Sequence, residues 1–96
     1  MPKTADTHEV LVLRLYVAGD APNSRLAIAN IQAICETHFA AGHKLEIVDL
    51  LKHPMRALPD SIVVTPTLMK LHPLPVQRLI GSLSDTNRVA MVLGAR

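Results

Sequence analysis

The chain has 96 residues, 49% of them hydrophobic but only two aromatic, Tyr16 and Phe39, and its formal charge is +2 at neutral pH. That length suits one small domain over 1–96 with a modest, aliphatic core. The single cysteine, Cys35, excludes a disulfide framework, a CxxC redox pair and a cysteine zinc site, and no apolar run reaches the ~18–20 residues that span a bilayer.

The start, MPKTADTHEV, has no apolar signal segment after its Lys, so residues 1–9 are expected to be a flexible lead into a cytoplasmic domain. Val10 to Val17, VLVLRLYV, follows. Leu11, Leu13, Leu15 and Val17 fall on one face by period two, and Val10, Val12, Arg14 and Tyr16 on the other. A strand buried on both faces reads this way, which favours a parallel or mixed sheet covered by helices. AGDAPNS is a loop, and Asn23 or Ser24 is expected to cap a helix running to about Ala40. Ala27, Ile31 and Ile34, flanked by Ile28, Cys35 and Phe39, form its buried stripe, and Gly42 is its natural stop. Lys44 to Leu50 predicts a second strand with Leu45, Ile47 and Val48 as inward candidates, which completes a β-α-β unit expected to be right-handed.

The second half is less consistent. Pro54 and Pro59 leave room only for a short helix around Met55–Leu58. SIVVTPTLMKL reads as strand, but Pro66 inside it cannot donate to a ladder and belongs at an edge, a bulge or a break. Residues 76–80 fit a strand (Val76, Arg78 and Ile80 alternating) or a helix (Val76, Leu79, Ile80). Ser84 is a good N-cap for a helix Asp85–Leu93, with Asp85 favourably placed at its positive end, although RVAMVL also suits a strand. Natural sequences usually agree across such levels. Here either the topology is weakly specified or the local rules read it poorly.

Charge is uneven too. Residues 1–50 hold four basic and six acidic residues, whereas 51–96 hold six basic and two acidic. The basic excess therefore belongs to the second half and suits an acidic partner, while the lack of a Lys/Arg run speaks against nucleic acid.

Catalytic patterns are weak. His38 and His43 are five apart across a helix end, and His8, His53 and His72 stand in separate loops, so no metal site is expected. Asp20, Asp49, Asp60 and Asp85 lie near element ends, where Asp serves as a turn or cap residue. Cys35 sits mid-helix beside Ile34, without the cationic neighbours that activate a thiol, and is expected to label slowly. No nucleophile elbow or glycine-rich phosphate loop is present, so no cofactor and no enzymatic activity are expected. The basic residues Arg25, Lys52, Arg56, Lys70, Arg78 and Arg88 are the interface candidates, because arginine in particular pairs well with carboxylates.

A β-α-β start followed by Thr65-Pro66-Thr67-Leu68 resembles the thioredoxin-like fold, in which a proline in cis precedes a strand. The loop Asp20–Ser24 stands where thioredoxins carry CxxC, and it has no sulfur, which points to binding rather than redox catalysis. More specifically, LRLYVAGDAPNS (13–24), IVDLLKHP (47–54), IVVTPTL (62–68) and PVQRLIGSLSD (75–85) resemble the KaiB family.

That resemblance implies a non-enzymatic α/β regulator of a KaiC-like ATPase, acting in circadian timing or a related stress output. It implies two folds with a shared β-α-β half: an oligomeric ground state (tetramer or dimer) of order βαββααβ, and a thioredoxin-like, partner-binding monomer of order βαβαββα. Lys70 and Arg78 match family basic positions, and Arg25 and Lys52 are further candidates for contacts to an acidic surface. Pro66, Pro73 and Pro75 are candidate cis or switch prolines. Gln77, Ser82, Val92 and Gly94 depart from the family pattern, so the chain looks more like KaiB proteins that accompany KaiC outside cyanobacteria. The rival reading is a thioredoxin-like adaptor or the sensor module of a two-component system.

Overall fold

β1 (Leu11–Val17) occupies the interior of a four-stranded sheet because both of its faces are apolar enough to be covered. This computed structural model describes residues 10–95; the expected flexible start, residues 1–9, lies outside them. After β1 come α1 (Pro22–His38), β2 (His43–Asp49), a 3₁₀ turn (Pro54–Ala57), β3 (Thr67–His72), β4 (Gln77–Ile80) and α2 (Thr86–Leu93). The sheet order is β2-β1-β3-β4, with β2 parallel to β1 and β3 and β4 antiparallel to their neighbours. This is a thioredoxin-like fold built on an N-terminal β-α-β unit. Its order matches βαβαββα, the middle helix being reduced to the 3₁₀ turn.

Both helices lie on one face of the sheet. Ala27, Ile31, Ile34 and Cys35 of α1 and Val89, Ala90 and Leu93 of α2 pack on Leu11, Leu13, Leu15, Val17 and Leu68. The 3–4–7 spacing of the α1 residues creates that stripe, and each fully buried aliphatic chain is worth about 1.5–3 kcal/mol over exposure. The other face is covered by residues 50–66, which run across Tyr16, Val48 and Met69, with Ile62 and Pro66 buried and Leu50 and Ala57 among the half-buried. We call residues 51–64 the strap.

Several local expectations are corrected. Helix α1 starts at Pro22 with Ala21 at the N-cap and no side-chain cap; Ser24 is buried in the first turn, where its Oγ accepts from the Ala18 amide at 3.2 Å. The helix ends at His38, short of Ala40 and Gly42, where the Phe39 amide closes on the Cys35 carbonyl. On β2, Val48 turns into the strap side while Ile47, opposite Leu15 on the helix side, is 39% exposed, because an edge strand is only partly roofed. The helix expected over Met55–Leu58 is the 3₁₀ turn, one residue earlier. Asp85, not Ser84, caps α2: its Oδ1 accepts from the Arg88 amide at 3.2 Å, and α2 ends at Gly94 in the left-handed region. Residues 77–80 resolve as strand, pairing with Lys70–Thr67. The strand expected across SIVVTPTLMKL begins only at Thr67, after Pro66. The peptide bonds before Pro66, Pro73 and Pro75 are all cis.

Candidate functional site

The strap is fixed to the sheet chiefly by polar side chains. Arg14 and Tyr16 alternate on one face of β1, and the parallel register sets Arg14 opposite Glu46 on β2. Arg14 Nε donates to Glu46 Oε1 at 2.8 Å, and Arg56 of the 3₁₀ turn donates to Glu46 Oε2 at 3.0 Å. The Tyr16 hydroxyl donates to Asp60 Oδ2 at 2.6 Å, and an Arg14 guanidinium nitrogen reaches the same oxygen at 3.5 Å. From β4, Arg78 donates to the Asp60 carbonyl at 2.6 Å and to that of Ser61 at 3.4 Å. Strands β1 and β4 thus converge on the Asp60 carboxylate and its backbone, while β2 holds the strap through Glu46 and Arg56.

The electrostatics follow from these pairings. Hydrogen bonds from Arg14 and then Arg56 hold the Glu46 carboxyl below its ordinary range, and Glu46 in turn raises the Arg14 guanidinium. Burial and then the bond to Asp60 raise the Tyr16 phenol. At the start of the strap, Asp49 Oδ1 accepts from the amides of Gly19 (2.9 Å) and Leu51 (3.0 Å), which hold that carboxyl low. Gly19 has φ +55°, which favours glycine at this junction; a Cβ there would stand 2.8 Å from Leu51 Cδ1, the end of an exposed side chain that can swing aside.

Held this way, the strap turns apolar side chains outward. Leu51, Met55 and Leu58 are 72%, 71% and 65% exposed, and Val63 reaches 87%. Lys52, His53, Pro54, Met55, Arg56 and Pro59 line an open hollow of about 410 Å³. The unpaired charge beside these aliphatic chains is that of Lys52, while Arg56 is half-exposed and paired with Glu46, and Asp60 is engaged beneath. Aliphatic anchors ringed by cations suit an acidic protein surface carrying apolar side chains. A second hollow of about 330 Å³ lies between β4 and α2, but there Asp85 caps the helix and the Ser82 and Ser84 hydroxyls bond each other at 2.6 Å.

The four basic residues singled out by sequence do not form one patch. Lys52 lies in the strap and Arg78 faces it from β4. Arg25 is exposed on α1, on the opposite side of the sheet. Lys70 lies on the helix side of β3, opposite Leu13 and Gln77, and is only 6% exposed. Among the described residues its ammonium has no hydrogen bond or ion pair, yet no buried polar atom is left without a partner, so its tip reaches water along a buried stem. The exposed aliphatic residues of the strap and the Arg14–Tyr16–Asp60–Glu46 network were missed by sequence reasoning. Leu51, Met55 and Leu58 at helical spacing around two prolines were the available signal, since a helix broken there cannot bury them.

Among the described residues no group of three metal-ligating side chains comes together, and no helix is long and apolar enough to cross a membrane. Burial pushes the Cys35 thiol up to about 11, as suits a core residue.

Comparison with known proteins agrees with this architecture. The chloroplastic thioredoxin z structure superposes with a TM-score of 0.75 at 16% identity, over 93% of this chain and 80% of that one, which establishes the fold. The N-terminal domain of SasA from Synechococcus elongatus also gives a TM-score of 0.75, at 26% identity, over 97% of this chain and 86% of that one. The circadian clock oscillator protein KaiB of Parasynechococcus marenigrum (strain WH8102) is 48% identical over 82 residues, 85% of this chain and 79% of that relative. The family model for the KaiB domain matches residues 14–95, and the chain belongs to the KaiB family.

Proposed function

We propose that this chain is a non-enzymatic clock-type regulator that binds a KaiC-like ATPase and modulates its phosphorylation or ATPase cycle, with a circadian or stress-timing output. The observation that carries this reading is the strap: an outward row of aliphatic side chains with Lys52 and Arg56 between them, on a thioredoxin-like frame that lacks the thiol pair. Exposed apolar groups clustered at this density mark docking surfaces. Arg78 and the tips of Lys70 and Arg25 are further contact candidates toward an acidic partner. The clock relatives support a clock-type role, and the KaiC-like ATPase as partner is what the resemblance to the KaiB family implies.

The regulatory step in this reading is a population shift. A partner that binds only the thioredoxin-like arrangement draws the chain out of an oligomeric ground state, dimer or tetramer, by its differential affinity. If the binding-competent form is about 1% populated, apparent affinity falls about 100-fold. Pro66, Pro73 and Pro75 border the segments that would rearrange.

The test is a pull-down and calorimetric titration with the KaiC-like ATPase of the same genome plus ATP. Met55→Glu and Arg56→Glu are expected to weaken binding at least tenfold, and Lys70→Glu to weaken it less, because its stem is buried. Wild-type affinity in the strap variants sinks the assignment of this face. The likeness to the SasA domain favours the second reading, a thioredoxin-like adaptor or two-component sensor module, and that reading predicts capture of a kinase instead.

A further inference from the structure

The strap's attachment differs in kind from the rest of the fold. Of residues 51–64, Ile62 alone is buried, with Ala57 and Asp60 half-buried, while every other strap side chain is exposed. Its backbone hydrogen bonds beyond Asp49 are internal: Arg56 to His53, Leu58 to Met55, Ser61 to Leu58, and Ile62 to Ala57. None of these ties it to the sheet. The ties are the Tyr16–Asp60 hydrogen bond at 2.6 Å, the Arg14 contacts to Asp60 and Glu46, the Arg56–Glu46 pair, and the Arg78 bonds to the Asp60 and Ser61 carbonyls. Strands β3 and β4 and helix α2 hold to the molecule without it: β3 pairs with β1, β4 with β3, and α2 packs on the α1 side. A segment with little buried apolar surface, its own local bonds and a few polar anchors is what opens first under native conditions.

We propose that residues 51–64 are a hinged strap that opens as a unit while the sheet and both helices stay in place, with the Tyr16–Asp60 bond as its latch and Arg14 and Arg78 as supports. The hinges are the ends of the segment: Asp49, whose carboxylate and carbonyl bind the amides of Leu51, Lys52 and His53, and the Val64 carbonyl, which accepts from the Thr67 hydroxyl at 2.6 Å. Opening removes the row of Leu51, Met55 and Leu58 from the sheet frame and uncovers the faces of Tyr16, Val48 and Met69 beneath. The latch thereby decides which of two apolar surfaces the molecule presents. This motion is independent of which partner the strap meets.

The experiment is native-state amide hydrogen exchange by NMR on the full chain, without any partner, at increasing sub-denaturing urea, read on the monomer resonances whose cross-strand contacts show the β3–β4 pairing. The reporters are Arg56, Leu58, Ser61 and Ile62 in the strap, and the amides of β1, β3, β4 and α2 elsewhere. The strap amides are expected to exchange at least 100-fold faster than those of β1 and β3, with a urea dependence well below that of β1, because opening exposes only Ile62 and the faces of Tyr16, Val48 and Met69 rather than the whole core. Tyr16→Phe keeps the ring and removes only the latch, and should speed strap exchange about tenfold. Ile31→Val loosens the helix-side core, so it should speed β1 exchange and leave the strap unchanged. Asp60→Ala, which removes the acceptor altogether, serves as a second latch variant with the same expectation as Tyr16→Phe. The proposal is overturned if strap and β1 share protection and urea slope, if β4 and α2 amides exchange together with the strap, or if neither latch variant accelerates the strap.

Discussion

The helix-side strand residues are chiefly aliphatic, whereas the strap side carries Arg14, Glu46 and Arg78, and the two faces of the sheet are covered by opposite means. On the helix side, α1 and α2 bring seven buried side chains onto the strands, together with Leu83, which accepts a left-handed backbone at φ 63° to reach the core. On the strap side a single buried residue, Ile62, is brought onto Tyr16, Val48 and Met69, and polar bonds supply the rest of the attachment. Burial scales with stability, whereas solvent-facing ion pairs contribute little and chiefly fix position. The helix side therefore holds the molecule together, and the strap side holds a shape outward.

The sharpest way to break that comparison is to cut one apolar side chain on each side. Ile31→Ala removes a fully buried chain and should cost about 2–5 kcal/mol in urea or thermal unfolding. Met55→Ala, at an exposed strap position, should stay within about 0.5 kcal/mol while weakening capture of the proposed ATPase partner. Similar losses from both would show that the strap carries fold stability after all. The next effect in size belongs to the anchor. Asp60→Ala strands the Tyr16 hydroxyl, on a residue 1% exposed, and should cost about 1–3 kcal/mol. A cost near zero in equilibrium urea titration would mean that water substitutes for the carboxylate.

A smaller effect sits at the end of α2. Asp85→Ala removes the side chain that accepts from the Arg88 amide and should lower stability by about 1 kcal/mol, whereas Ser84→Ala should leave it nearly unchanged. Equal losses in the two variants, measured by thermal melts, would return the cap to Ser84.

The same contrast explains what could be read from residues alone. β1 and the stripe of α1 were plain because each obeys one period over a long window, 2.0 or 3.6, and local pattern there agrees with burial. The start of β3 after Pro66 came from the resemblance of Thr65-Pro66-Thr67-Leu68 to the thioredoxin-like fold, since the local pattern of 61–71 reads as one strand. Residues 76–80 stayed ambiguous since their strand form depends on β3 offering a free edge, a tertiary fact. Ile47 and Val48 were not separated, because consecutive aliphatic residues on an edge strand can turn either way. The anchor was invisible for a different reason. Arg14 and Asp60 are 46 residues apart, and Asp60 between prolines reads locally as an ordinary turn residue. The basic candidates were found by type, but which face each occupies depends on sheet register, which parted Lys52 and Arg78 from Arg25 and Lys70.

The smallest expected effect concerns acid. The Glu46 carboxyl is held low by Arg14 and Arg56, and that of Asp49 by the amides of Gly19 and Leu51, so each titrates below its unfolded value when folded. Their contribution is therefore complete above the unfolded carboxylate values, about 4, and is lost as pH falls through the lower folded values. Both groups face solvent, which keeps the effect small, and salt should shrink the Glu46 part further. Because both carboxylates sit at the strap and its hinge, acid should loosen the strap before it loosens the helix side. Hydrogen exchange at pH 6 and pH 3.5, corrected for intrinsic rates, should show lower protection at Leu58 and Ile62 in acid, with β1 protection changing less. Glu46→Gln with Asp49→Asn should flatten that difference, and equal acid sensitivity on both faces would remove the distinction between them.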